Sequence, residues 1–143
     1  MTQSNFDDVG DFHERFDLDN VTHHPVGPRD ISAELMEFRI KFLKEELREL
    51  IVAYDMRDTP MMFDALLDLV YVALGTAHLM GLPWQDGWDE VQRANMMKVR
   101  ASADGRDSKR GSSFDVVKPP NWVPPDIEGV LRRHLIPLHS ESN

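Results

Sequence analysis

The chain has 143 residues, 41% of them hydrophobic, which suits one domain with a real core and is too short for two full ones. Its 25 acidic against 16 basic residues give a net charge of -9, a surface field that repels nucleic acid and anionic membrane. The absence of cysteine excludes disulfide frameworks, thiolate metal sites and cysteine nucleophiles.

The amino-terminal stretch MTQSNFDDVGDF is acidic and has no apolar run, so no secretory signal is expected and the cytoplasm is the expected location. Asp11 to Phe16 reads as part of a first helix, followed by a break through His23-His24-Pro25-Val26-Gly27-Pro28. Asp30 is a plausible N-cap for a second helix running to about Tyr54 without proline or glycine. Thr59 as N-cap and Pro60 at the first helical position open a third helix that ends near Gly81, and Leu82-Pro83 restarts the chain as a fourth through about Val99. Glycine, proline and serine accumulate from Ala101 to Pro125, which reads as a long loop, and a short last helix spans Asp126 to His134. No stretch alternates like a strand. The chain is thus read as all-α, four to five helices in a single domain over 1–143. Its helical core covers about 11–99, a basic loop about 100–125 and the last helix about 126–135.

On a wheel of about 100° per residue, Ile31, Leu35, Phe38 and Phe42 of the second helix fall within roughly 60° of one another. That stripe continues as Glu45, Glu46 and Glu49, while Met36, Ile40, Leu43, Leu47, Leu50 and Tyr54 form a second apolar face. A helix apolar on two sides places its glutamates where a packing partner should be. From Pro60 to Met80 the third helix is almost wholly apolar, and its charged residues are Asp64 and Asp68, four apart on one face with Gly75. Its length suggests a membrane span, but two central carboxylates and amphipathic neighbours argue against one.

Antiparallel packing of these helices across the turn at Arg57 to Thr59 would bring five carboxylates together: Glu45, Glu46, Glu49, Asp64 and Asp68. Anions buried side by side are unfavourable unless some protonate or a cation neutralises them. An all-oxygen donor set suits Mg2+, or Mn2+, rather than zinc or copper. The competing reading of EELRE is a solvated helix face; Asp68, deep in an apolar helix, weighs against it. No histidine stands three residues after these glutamates, which rules out a ferritin-like di-iron centre, and His-Glu-x-x-His and glycine-rich phosphate loops are absent. His78 reads as a packed helical residue, and Trp84 and Trp88 as core or interface residues.

A magnesium site suits a polyphosphate substrate. Between Arg93 and Lys118 seven basic residues face three acidic ones, a local +4 in a chain of -9. Such a loop could clasp phosphates and close over a substrate, or be merely solvated.

Glu45-Glu46-x-x-Glu49, followed by an acidic pair on the next helix, resembles the signature of the all-α nucleoside triphosphate pyrophosphatases. Phe12-His13-x-x-Phe16, Asp68-Leu-Val-Tyr71 with Gly75, and Val91-Gln-Arg-Ala-Asn95-x-x-Lys98 resemble the MazG-like branch of bacteria and phages. Asp104-Gly105-Arg106 and Lys118-Pro-Pro-Asn-Trp122-x-Pro-Pro-Asp126 resemble that branch's C-terminal loop, some of whose members act on dUTP. One departure stands out: the usual Glu-x-x-Asp of the third helix has Ala65 in place of the glutamate, with Asp64 one position earlier.

The resemblance implies hydrolysis of a nucleoside triphosphate to monophosphate and pyrophosphate. It also implies a MazG-like bundle that dimerises through its long helices. Glu46, Glu49 and Asp68, with Glu45 or Asp64 assisting, would hold the metal, and a carboxylate such as Glu45 would help activate water. Lys98, Arg110 and Lys118 would neutralise phosphate, Asn95 would bond a phosphate or the ribose, and the base would stack on Phe12, Phe16 or a tryptophan. The alternative is a helical nucleotide or metal binder without turnover, or an interaction module whose acidic stripe meets a basic partner.

Overall fold

The computed structural model describes residues 2–19 and 31–134. Among them run five helices: α1 (Asn5–Arg15), α2 (Ala33–Asp55), α3 (Thr59–Leu79), α4 (Trp84–Met96) and α5 (Ile127–Arg133). A ladder of β1 (Val99–Arg100) and β2 (Val116–Val117) completes an otherwise all-α chain. The expected break at His23 to Pro28 and the expected cap Asp30 lie outside the described residues. The chain divides into two compact units, Met1–Leu82 and Pro83–Asn143.

In the first unit, α1 starts well before Asp11. Ser4 Oγ accepts the Asp7 N–H while the Asp7 carboxylate accepts the Ser4 N–H, a reciprocal cap that satisfies two orphan donors. Helix α2 opens at Ser32, whose hydroxyl accepts the Leu35 N–H at 3.1 Å. The cap of α3 is Asp58 rather than Thr59: its carboxylate takes the Met61 N–H at 3.0 Å, and Pro60 falls in the first turn, where no N–H is needed. Gly81, at φ +65°, ends α3 as expected, with its N–H on the His78 carbonyl.

Both α1 and α2 pack against α3. Helices α2 and α3 run antiparallel: Arg39 reaches Val72 and Thr76, while Glu46, a turn and more further along α2, feels Asp68. By length and composition α3 could cross a membrane, with a mean hydropathy of 1.4, yet here it is the helix on which its two neighbours rest. The line that α2 buries is Arg39, Glu46 and Ala53, and α3 buries Ala65, Val72 and Leu79 at the same seven-residue spacing. This corrects the two-faced wheel. The seam runs between the two apolar stripes, and each stripe is left only partly covered. Gly75 lies beneath side chains from both neighbouring helices. A Cβ there would meet Arg39 Nη2 at 2.6 Å and His13 Nε2 at 2.9 Å, so the missing side chain makes room for a guanidinium and an imidazole.

In the second unit α4 stops at Met96, short of the expected Val99, because Val99 and Arg100 leave the helix to pair antiparallel with Val117 and Val116. The expected loop is therefore a hairpin. Its tip is tied internally: Asp107 accepts the Ser102 N–H at 2.8 Å, Ser108 donates to Asp115 at 2.7 Å, and Gly105 turns at φ +68° against the backbone of Ser112 and Ser113. Helix α5 lies within the expected span, and Asp126 caps it by accepting the Gly129 N–H at 2.9 Å. Trp122 donates its indole N–H to the Ala94 carbonyl at 2.6 Å, and Arg93 bridges Glu90 and the Pro124 carbonyl.

Candidate active site

Packing of α2 on α3 sets Glu46 on the buried seam, Glu49 one turn on, and Asp68 on the facing helix. Ligand oxygens of these three residues lie within 4.8 Å of one another, a spacing that a single cation can span. Glu46 is 8% exposed, and among the described residues its Oε2 has no hydrogen-bond partner. Burial, reinforced by the charges of Glu49, Asp68, Glu45 and Asp64, pushes the Glu46 carboxyl above its ordinary range. An orphaned, buried oxygen surrounded by like charge is the environment that a hard divalent cation relieves, so the donor set fits such an ion.

Glu45 and Asp64 are placed differently from the other three. Both are exposed and stand outside the trio, close enough to act on Glu46 through their charge. Helical spacing is the reason. Asp64 lies about 100° away from Ala65, and Ala65 takes the seam position at 2% exposure.

Glu46 and Asp68 of the trio open onto a cavity of about 1010 Å3, also in the first unit. Its wall is aromatic, with Phe12, Phe38, Phe42 and Tyr71 beside Arg39 and His13, and Glu46 and Asp68 line it too. Phe12 stands edge-on to Tyr71 with ring centroids 5.4 Å apart and tilts over Phe16 at 4.9 Å. Such a wall accepts a flat heteroaromatic ring by offset stacking. Arg39, 7% exposed, donates from Nη2 to the Val72 carbonyl at 2.8 Å and from Nε to Thr76 Oγ1 at 3.1 Å, and it lies over the Phe42 ring. Burial lowers its pKa from the usual arginine value, but a guanidinium keeps its proton.

The sequence reading passed over Arg39 because one arginine in a charged helix carries no signal. Its seven-residue spacing from Glu46, with Gly75 opposite, was the available clue. Asp19 was missed as well. It bonds His78 at 3.0 Å and faces His13 at 3.4 Å, so His78 is a partnered polar residue as well as a packed one.

In the second unit, Lys98 and Lys118 flank one indole, with their ammonium nitrogens 5.5 and 4.5 Å from the centre of the Trp122 ring. Arg110 is held by Asp115 at 2.9 Å, and Asn95 is exposed near the end of α4. Part of the expected positive charge of the loop is therefore neutralised internally, by Arg110 on Asp115 and Arg106 on Asp104. Trp84 and Trp88 sit together, ring centroids 6.2 Å apart, with Trp88 exposed.

Comparison with known families matches residues 9–95, well over half of the chain, to phosphoribosyl-ATP pyrophosphohydrolase. No match was found among curated proteins. That family lies within the MazG-like all-α nucleoside triphosphate pyrophosphatases, with which the helical fold agrees. Pyrophosphohydrolases of this kind typically depend on a divalent metal, which the carboxylate trio fits, and they take a nucleotide substrate, which the aromatic cavity fits. The matched stretch carries the trio and the cavity wall together, and the chain accordingly belongs to the phosphoribosyl-ATP pyrophosphohydrolase family, whose members are enzymes that cleave pyrophosphate from nucleoside triphosphate-like substrates.

Proposed function

We propose that the protein hydrolyses a (deoxy)nucleoside triphosphate, with dUTP or a related pyrimidine deoxynucleotide favoured, to the monophosphate and pyrophosphate. The observation that carries this reading is the carboxylate trio, with its orphaned Glu46 oxygen, at the wall of an aromatic cavity. The pyrimidine preference rests on the sequence resemblance of the flanking motifs and tail. The family match ends at residue 95, ahead of that basic tail, so the substrate need not be that of the family's namesake.

Glu46, Glu49 and Asp68 hold the cation, taken as Mg2+ with Mn2+ able to replace it, and Glu45 or Asp64 assists from the rim. Such an ion supplies charge neutralisation along the triphosphate and Lewis acidity at the α-phosphorus. Glu45 accepts a proton from the attacking water. The water oxygen bonds to the α-phosphorus as the bond to the α–β bridging oxygen breaks and pyrophosphate departs. Phe12 and Tyr71 stack the base, and Lys98, Arg110, Lys118 and Asn95 are assigned to phosphate and ribose. In this reading residues 1–143 act as one pyrophosphatase domain in the cytoplasm, as a homodimer.

The test is incubation with Mg2+ or Mn2+ and a panel of nucleotides that includes dUTP, dCTP, the ribonucleotides and phosphoribosyl-ATP. Pyrophosphate release, fastest with dUTP and lost in Glu46→Ala, is the expected result. Binding without turnover across the panel would sink the reading, and orthophosphate release would put the cleavage at the wrong bond.

A further inference from the structure

His13, Asp19 and His78 form a second constellation, chemically unlike the first. His13 comes from α1, Asp19 from just beyond it, and His78 from the last turn of α3. One ligand atom from each lies within 4.8 Å of the other two. The spacings are short. His13 Nδ1 is 3.4 Å from Asp19 Oδ1, and His78 Nε2 is 3.0 Å from Asp19 Oδ2. Donors of a tetrahedral ion bonded at about 2.0–2.1 Å stand roughly 3.3 Å apart.

The second observation is the state of His13. It is 3% exposed, and its Nδ1 stands 3.4 Å from Asp19 Oδ1 without the geometry of a full hydrogen bond. A buried imidazole nitrogen is seldom left without a bond. The opposite ring nitrogen, Nε2, lies beside Gly75 and the Arg39 guanidinium, so the two edges of the ring face different chemistry. Asp19 and His78 are 18% and 16% exposed, which leaves an approach from solvent.

We propose that His13, Asp19 and His78 form a transition-metal site of the zinc class, separate from the all-oxygen trio. Two imidazoles and one carboxylate with a fourth position open to water suit Zn2+ or Co2+, whereas Mg2+ prefers oxygen. The bound ion clips α1 to the end of α3. Because His13 and its neighbour Phe12 also line the aromatic cavity, the clip fixes that wall in place. Arg39 opposes any added cation, and the Asp19 carboxylate offsets it. The proposal does not depend on the reaction assigned above, and its test reads metal rather than turnover.

The experiment is a titration of the full chain with Co2+ in excess Mg2+, so that the carboxylate trio is occupied. One equivalent should give the intense visible absorption of four-coordinate cobalt, abolished by Zn2+ and unchanged in Glu46→Gln. Asp19→Asn and His78→Ala should each weaken Zn2+ binding by more than about tenfold while keeping the far-ultraviolet circular dichroism of the wild type. Should either variant fail to fold, the wild-type imidazole resonances decide: Zn2+ should shift the nitrogen signals of two histidines, Nδ1 of one and Nε2 of the other. Cobalt colour that survives both variants, or that disappears in Glu46→Gln, would overturn the proposal. So would an absence of stoichiometric binding, or imidazole signals that Zn2+ leaves in place.

Discussion

Glu46 bears two opposed demands, since burial on the helix seam favours its neutral form and metal binding needs it ionised. Its pKa is raised by burial and by four neighbouring carboxylates, so the group stabilises the fold most below the ordinary glutamate range. That contribution is lost as pH rises through the elevated folded value. Glu46→Gln removes the penalty of ionisation. The metal-free variant should therefore melt a few degrees above the wild type at neutral pH, with the gap closing towards pH 4, as thermal melts across that range would show. Added Mg2+ should stabilise the wild type at neutral pH and leave the variant largely unmoved. Gly75 presents the second demand at this scale. Gly75→Ala drives a methyl into Arg39 Nη2 and His13 Nε2, so we expect a loss of about 1–3 kcal/mol in denaturant unfolding as the bonds to Val72 and Thr76 break.

Helix α2 shows why an amphipathic pattern can mislead about the side that is covered. Its apolar residues form two stripes, but the contact line takes Arg39, Glu46 and Ala53 from between them, because α3 meets the helix along a seven-residue repeat. The turn after α2 carries a testable cost. Arg57 is held at φ +56°, a conformation that glycine adopts without strain. Arg57→Gly should raise stability by about 0.5–1 kcal/mol, measurable as an increased midpoint in urea, with metal binding unchanged. In the second unit the hairpin binds its own acids and bases together, and Trp122 gathers Lys98 and Lys118 on one ring. The Lys98 side of that pairing was invisible in a sequence that sets it 20 positions before Lys118 and 24 before Trp122.

Few large apolar side chains are buried among the described residues. Among the described residues, the largest side chains that are almost fully buried are Val9 and Val130, whereas Ile51, Tyr54, Phe63, Leu67 and Val70 of the two long helices remain exposed. Apolar surface on that scale marks an association face. The proposed homodimer through α2 and α3 would cover it, and light scattering should then give twice the monomer mass. Leu67→Glu should shift the species to monomer and lower its melting temperature by roughly 5 °C or more.

Sequence alone determined the all-α class, the helix order, the Gly81 stop, the last helix after Asp126 and the carboxylates available for metal. These follow from local propensity, from capping and from charge set in apolar helices, each readable within a turn or two. The depth of each carboxylate depended on tertiary structure. The α2–α3 seam buries Glu46, leaves Glu45 and Asp64 at the rim, and seats Arg39 opposite Gly75, because burial depends on the angle at which two helices meet. Only folding could bring Asp19 to His13 and His78, since 59 positions separate Asp19 from His78 along the chain.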